Sequence, residues 1–234
     1  MPRKNLISIV IPTYNERENI EILIPKIFRV LEKEGVEGEV IIVDDNSPDK
    51  TGRVAEGMKK HYRIKVIHRS FKLGLSSAVL EGFKVAEGGI IGVMDADLSH
   101  PPEIIPDLIE PLFKGEADLV VGSRYVNGGG VKNWSLRRKI TSKLAASLAK
   151  GLTDVRDPMS GFFFFDRGII KSVELNPRGY KIGLEIMVKG RYKSIKEVPY
   201  VFAERKSGKS KLGFGEKFEY LLHLLRLYLY KMRV

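Results

Sequence analysis

The chain has 234 residues, 43% of them apolar and 29% charged, with a formal net charge of +11; these proportions exclude intrinsic disorder and allow one sizeable buried core. Cysteine is absent, which rules out disulfides and thiolate metal sites. The start, Met1-Pro2-Arg3-Lys4, does not read as a cleavable leader, and no apolar run approaches the ~20 residues of a bilayer span, so the expectation is an intracellular, cytoplasmic protein.

Short β-branched apolar runs at residues 6–11, 40–43, 64–67, 90–94 and 119–121 predict strands buried on both faces. Helical spacing separates them over 16–34, 51–61, 76–87 and 102–114, the last expected to be kinked or broken by Pro106 and Pro111. Strand and helix alternating at this spacing predict βαβ units and an α/β fold, with an open, mostly parallel sheet flanked by helices. The second half is less regular. Asn127-Gly128-Gly129-Gly130 is a loop, followed by Trp134 and a basic helix from Ser135 to about Lys150. A strand over 161–165, a helix over 183–192 and a last strand over 194–202 come next. Residues 204–215, rich in Gly, Lys and Arg, predict a mobile loop before a C-terminal helix over 216–232, with Glu216 in its first turn. No internal repeat or long linker is present, so residues 1–234 are expected to form one domain.

Charge divides this domain into two halves. Residues 1–123 carry 16 Lys+Arg against 20 Asp+Glu, whereas residues 124–234 carry 24 against 9. A positive field of that size attracts a polyanion, an anionic membrane surface or a phosphorylated substrate.

In an open α/β sheet, ligands bind beyond the carboxyl ends of the strands. Polar strings stand at four such ends: Pro12-Thr13-Tyr14-Asn15-Glu16, Asp44-Asp45-Asn46-Ser47, Asp95-Ala96-Asp97-Leu98-Ser99-His100 and Gly122-Ser123-Arg124. Asp95 and Asp97, one residue apart, suit Mg²⁺ or Mn²⁺, whose remaining positions go to water and substrate phosphates; capping of the following helix is the plain structural alternative. Neither Gly-x-Gly-x-x-Gly nor Gly-x-x-x-x-Gly-Lys-Ser/Thr occurs, which argues against dinucleotide cofactors and phosphate-loop NTPases. Tyr14, Glu16 and Asp45 are suited to a base and ribose. Arg124, Arg205 and Lys211 are candidate phosphate-binding cations.

The four strings, taken with Leu73-Gly74-Leu75, Asp157-Pro158-Met159-Ser160-Gly161-Phe162 and Ser210-Lys211-Leu212, resemble the family-2, GT-A-type glycosyltransferases. The Asp-Pro-x-Ser-Gly-Phe and Ser-Lys-Leu elements narrow the resemblance to the polyprenyl-phosphate sugar synthases of that family, and the similarity runs in order along nearly the whole chain. It implies a Rossmann-like GT-A fold with residues 1–123 as the nucleotide-sugar half and 124–234 as the acceptor and membrane-facing half. It also implies transfer of mannose from GDP-mannose to dolichyl or another polyprenyl phosphate. Pro12, Tyr14, Glu16, Val43 and Asp45 would hold the nucleoside, and Asp95, Ala96 and Asp97 the diphosphate through Mg²⁺ or Mn²⁺. Ser99 would stand near the metal, where some relatives carry Gln. Arg124, Arg205 and Lys211 match the family's phosphate-binding cations, and Asp97 and Arg124 are the expected catalytic residues. Lys209 departs from the acid that relatives often carry.

The acceptor phosphate is ionised near neutral pH and needs little general-base help. In-line attack with inversion and no covalent enzyme intermediate is therefore expected. Eight Lys or Arg and one acid between residues 124 and 156, and the Leu- and Tyr-rich segment 218–230, suit interfacial helices on the cytoplasmic face of a membrane, or a surface for a membrane-anchoring partner. Transfer of glucose or another family-2 sugar is the enzymatic alternative. A basic nucleic-acid-binding module is the alternative from another class, but no such signature is present and nucleic acid is not expected as a partner.

Overall fold

The computed structural model describes residues 3–176, 179, 181–203 and 214–233. The predicted loop at 204–215 lies mostly outside them, as do Arg205, Lys209 and Lys211.

The first half alternates as expected: β1 (Arg3–Thr13), α1 (Arg17–Lys33), β2 (Glu37–Asp44), α2 (Thr51–Met58), β3 (Ile64–His68), α3 (Leu75–Val85), β4 (Gly88–Val93), α4 (Ile105–Phe113) and β5 (Leu119–Ser123). Then come β6 (Gly130–Val131), α5 (Leu136–Leu148), β7 (Phe163–Asp166), α6 (Ile182–Lys189), β8 (Ile195–Pro199), β9 (Val201–Phe202) and α7 (Phe214–Lys231). Seven strands form one sheet in the order β3-β2-β1-β4-β7-β5-β8. All neighbours are parallel except β7, which runs antiparallel to both β4 and β5.

The period-2 alternation of β1 and β2 supplies two cores, one on each face. Ile7, Ile9, Ile11, Val40 and Ile42 meet α1, where Ile20, Leu23, Ile24, Ile27 and Leu31 form a single helical stripe. Val10, Ile41 and Val43 belong to the second core, with Ala78, Val79 and Phe83 of α3 and, farther along the sheet, Ile182, Ile186 and Met187 of α6. Each fully buried Ile or Leu contributes about 2 kcal/mol of burial free energy, so both layers hold the strand ends in place. Close packing also dictates Gly92 of β4, because a Cβ there would lie 2.1 Å from the Phe164 ring of β7.

Three details sharpen the expected elements. Residues 102–114 do break, but at the start: a 3₁₀ turn (Pro102–Ile104) precedes α4, and Pro106 sits in the first turn, where its missing N–H costs nothing. The last strand is split. Its second part, β9, pairs with β6, and Tyr200 between the parts donates its N–H to Ser123 O while Gly130 N–H returns to Tyr200 O. The C-terminal helix packs on neither sheet face. Leu224 and Leu227 instead meet Leu184 of α6 and Ala149 and Leu152 after α5. Tyr220 and Tyr228 donate their hydroxyls to the carbonyls of Ala145 and Leu148, joining α7 to α5.

Candidate active site

The carboxyl ends of β1 and β2 are tied together by their own polar residues. Asp44 Oδ1 accepts from the hydroxyls of Thr13 (3.0 Å) and Ser47 (2.5 Å), and Asp44 Oδ2 accepts from the Ser47 N–H. The two loops interlock further: Asn15 N–H donates to Ser47 Oγ, Glu16 N–H to Thr51 Oγ1 and Arg17 N–H to Asp49 Oδ2. The first donors of α1 are thus capped from the neighbouring loop, and Glu16 at the cap position accepts instead from the Asn19 amide. Burial would raise the Asp49 pKa, but the hydroxyl and N–H of Thr51, the Arg17 N–H and the Arg17 guanidinium together hold the carboxyl below its ordinary value.

Among the expected nucleoside residues, Pro12, Tyr14 and Glu16 follow one another at the β1 end, each part-buried. Lys72 Nζ sits 3.7 Å from the Tyr14 ring centroid, a cation–π contact across the loop. Asp45 is buried, and its carboxylate takes Arg69 Nη1 at 2.5 Å and the Gly74 N–H at 2.9 Å, so it joins β2 to the start of α3. The Val43 side chain lies in the core at 0% exposure, which leaves only its main chain for a ligand.

After β4 the chain turns sharply, with Leu98 in the left-handed region at φ 63°. Ser99 donates both its N–H (3.1 Å) and its hydroxyl (2.5 Å) to Asp97 Oδ1, so in this structure the hydroxyl braces the aspartate. Asp97 and Ala96 are buried, while the Asp95 side chain is 27% exposed. His100 is enclosed: its ring stacks on Phe162 at 4.9 Å and its Nδ1 accepts from the Asp95 N–H at 2.9 Å. Burial pushes the His100 pKa down against the pull of Asp95 and Asp97, so the ring is neutral. The described residues contain no group of three or more His, Cys, Asp or Glu able to hold a metal. Two carboxylates without nitrogen or sulfur donors suit a hard cation that keeps waters and substrate phosphates as its other ligands.

Arg124 follows β5. Its guanidinium meets Asp157 twice, Nε to Oδ2 and Nη2 to Oδ1, each at 2.7 Å, and its N–H also donates to Oδ2. Burial would lower the Arg124 pKa, but Asp157 overrides it and holds the group above its ordinary value. Asp157 is itself fixed, its N–H and that of Arg156 donating to the Glu197 carboxylate on β8. A cleft of about 740 Å³ meets the site at Arg124 and is walled by Trp134, Lys139, Lys143, Lys150 and Arg156; neither aspartate of the pair lines it.

Sequence reasoning placed the four strand ends on one edge of the sheet, and the structure assembles them there. Arg69, Lys72, Glu197 and the roles of His100 and Asp157 were missed. The last two stood inside the quoted motifs, so the signal was present, but their partners depend on tertiary contacts 5 and 33 residues away.

An α/β sheet of this order, with carboxylates and cations at its strand ends, has the architecture of the GT-A fold. The chain belongs to glycosyl transferase family 2, whose model matches residues 8–173. It is 48% identical to a dolichol-phosphate mannosyltransferase of Pyrococcus furiosus, over 94% of this chain and 63% of that protein, so it spans less than two thirds of that relative. It is 37% identical to the dolichol-phosphate mannosyltransferase of Saccharomyces cerevisiae, over 96% of this chain and 87% of that protein. Among solved structures, mannosyl-3-phosphoglycerate synthase from Rubrobacter xylanophilus matches with a TM-score of 0.71 at 19% identity, covering 97% of this chain and 74% of that one. Mannosyltransferase PcManGT from Pyrobaculum calidifontis, in complex with GDP-Man and Mn²⁺, matches with a TM-score of 0.65 at 18% identity, covering 99% and 65%.

Proposed function

We propose that this chain transfers mannose from GDP-mannose to dolichyl or another polyprenyl phosphate at a membrane surface, with Mg²⁺ or Mn²⁺ as cofactor. The observation that carries this reading is the braced Asp95/Asp97 pair in a chain 37–48% identical over nearly its whole length to proteins named dolichol-phosphate mannosyltransferase.

A divalent cation held by Asp95 and Asp97 would neutralise the diphosphate leaving group. Tyr14, Glu16 and the main chain at Val43 stand where a nucleoside would bind. Asp45 supports that wall through Arg69 and Gly74. Arg124 follows β5 at the same edge of the sheet, with Asp157 fixing the plane of its guanidinium so that it can meet developing charge without reorganising. Arg205 and Lys211 are proposed as further phosphate-binding cations. In the transfer, an acceptor phosphate oxygen bonds to the anomeric carbon as the bond from that carbon to the diphosphate oxygen breaks. The electron pair leaves with GDP, and the configuration inverts.

The membrane surface is supported by two apolar rows. Leu136, Ile140, Leu144 and Leu148 are exposed along α5, and Phe218, Leu221, Leu225 and Leu229 along α7. Lys139, Lys143 and Lys150 flank the first row, an arrangement suited to anionic headgroups on the cytoplasmic face, with or without an anchoring partner. No helix among the described residues is long and apolar enough to cross a membrane.

The test is incubation with Mn²⁺ or Mg²⁺, a panel of nucleotide sugars and a polyprenyl phosphate, followed by mass spectrometry of the lipid. A hexosyl-phosphate lipid formed only with GDP-mannose is the expected result. Product from a UDP-sugar alone, or none with any donor, overturns the assignment.

A further inference from the structure

We propose that His100 is a positioning residue that fixes Asp95 by addressing its main chain and its side chain at once. The inference rests on the reading of Asp95 as a metal-holding carboxylate and adds a second residue to that site.

The geometry assigns the tautomer. His100 Nδ1 accepts the Asp95 N–H at 2.9 Å, so Nδ1 carries a lone pair and the ring proton sits on Nε2. Nε2 lies 3.9 Å from Asp95 Oδ2, facing the carboxylate. Phe162 lies parallel to the ring, with planes 7° apart, and Tyr200 and Phe202 meet it edge-on at 5.7 and 5.9 Å. Gly161 borders both groups: a Cβ there would be in ordinary van der Waals contact with His100 Cε1 (3.5 Å) and the Asp95 carboxylate (3.6 Å). The imidazole is thus packed among aromatic neighbours, and its bond from the Asp95 N–H sets where Asp95 stands.

The division of labour within the loop is regular. Ser99 braces Asp97 from two residues away, and His100 braces Asp95 from five. Two like charges one residue apart repel when no cation lies between them, so each needs its own restraint to be in place when the cation arrives. Outer partners of this kind typically change metal affinity about 10- to 100-fold when removed.

The experiment titrates Mn²⁺ into full-length protein with GDP, reading free Mn²⁺ by electron paramagnetic resonance, for wild type, H100F, H100N and F162L. His100→Phe keeps an aromatic stack but removes the acceptor, and should weaken Mn²⁺ binding by about tenfold or more. His100→Asn keeps an acceptor near the Nδ1 position and should recover most of that loss. Phe162→Leu removes only the stacking partner; it should lower the thermal midpoint while leaving Mn²⁺ affinity within about threefold of wild type. Equal affinity in wild type and H100F overturns the inference alone, as does an H100N protein no better than H100F. If H100F does not fold, His100→Ala takes its place: Mn²⁺ affinity about tenfold below that of F162L supports the inference, and affinity equal to that of F162L overturns it. Wild-type protein that takes up no Mn²⁺ with GDP overturns the inference together with the metal reading.

Discussion

Arg124 and Asp157 form a bidentate pair in which Nε and Nη2 each lie 2.7 Å from a carboxylate oxygen, and the Arg124 main chain adds a third bond to the same group. Their side chains are 8% and 0% exposed. The cation expected from sequence to bind phosphate is therefore committed first to a protein carboxylate, which leaves Nη1 and the second Nη2 hydrogen for a ligand. Removing one partner of such a pair leaves a buried charge uncompensated. Asp157→Asn should cost about 3 kcal/mol of stability in urea unfolding. A loss below about 1 kcal/mol would mean that the pair is solvated and contributes as a surface bridge does.

Asp97→Asn separates charge from shape. The amide oxygen can still accept both bonds from Ser99, so the loop and the thermal midpoint should be retained. Loss of the negative charge should reduce transfer by about 10³-fold, the scale of losing one electrostatic group aimed at developing charge, and Asp97→Ala should abolish transfer. Steady-state rates alongside circular dichroism check both; full activity in either variant removes the metal from this carboxylate.

The sheet was legible because β-branched runs and 3.6-residue stripes report burial directly. The Ile20 to Leu31 stripe of α1 and the runs of β1 and β2 are of this kind. The direction of β7 was not, since four consecutive Phe side chains at 162–165 are buried on every side and carry no periodicity to orient them. The split between β8 and β9 depends on Tyr200 turning back to Ser123, a contact that local sequence does not encode. At the site, chemistry by residue type was readable for Asp95 and Asp97. Asp45 showed the limit: its Arg69 partner stands 24 residues on, and only the fold reveals that the carboxylate is engaged.

His223 on α7 sets an acid limit on how that helix docks. It is buried, and desolvation lowers its pKa below the ordinary 6.5; Glu185 of α6 pulls upward, while Arg226 of α7 and Lys189 of α6 oppose protonation. Above that ordinary value both folded and unfolded chains carry a neutral ring and nothing is gained or lost. As pH falls through it, the unfolded chain takes a proton that the folded chain refuses, so stability declines by at most about 1.4 kcal/mol per pH unit for one histidine. His100 acts in the same direction, so the effect is read as a difference between proteins. Urea midpoints measured between about pH 7.5 and about pH 5.5 should fall less steeply in His223→Gln than in wild type. Parallel slopes would place the His223 pKa at its unfolded value.

The apolar rows of α5 and α7 predict two separable contributions to membrane binding. Leu136, Ile140, Leu144 and Leu148 recur every four residues, and the tyrosine bonds from α7 to the Ala145 and Leu148 carbonyls hold the second row alongside. Leu144 and Leu225 are 61% and 56% exposed, so replacing both with Ser should leave the thermal midpoint unchanged. Each leucine entering the acyl boundary is worth about 2 kcal/mol, independent of salt, so the double variant should lose binding to phosphatidylglycerol vesicles at every ionic strength. Lys139→Ala with Lys143→Ala should lose about 1 kcal/mol per residue and only at low salt, because that attraction is screened within a Debye length. Co-sedimentation at two salt concentrations distinguishes them. If the leucine variant binds as wild type does while the lysine variant does not, the surface is held by headgroup charge alone and the helices lie on the bilayer without entering it.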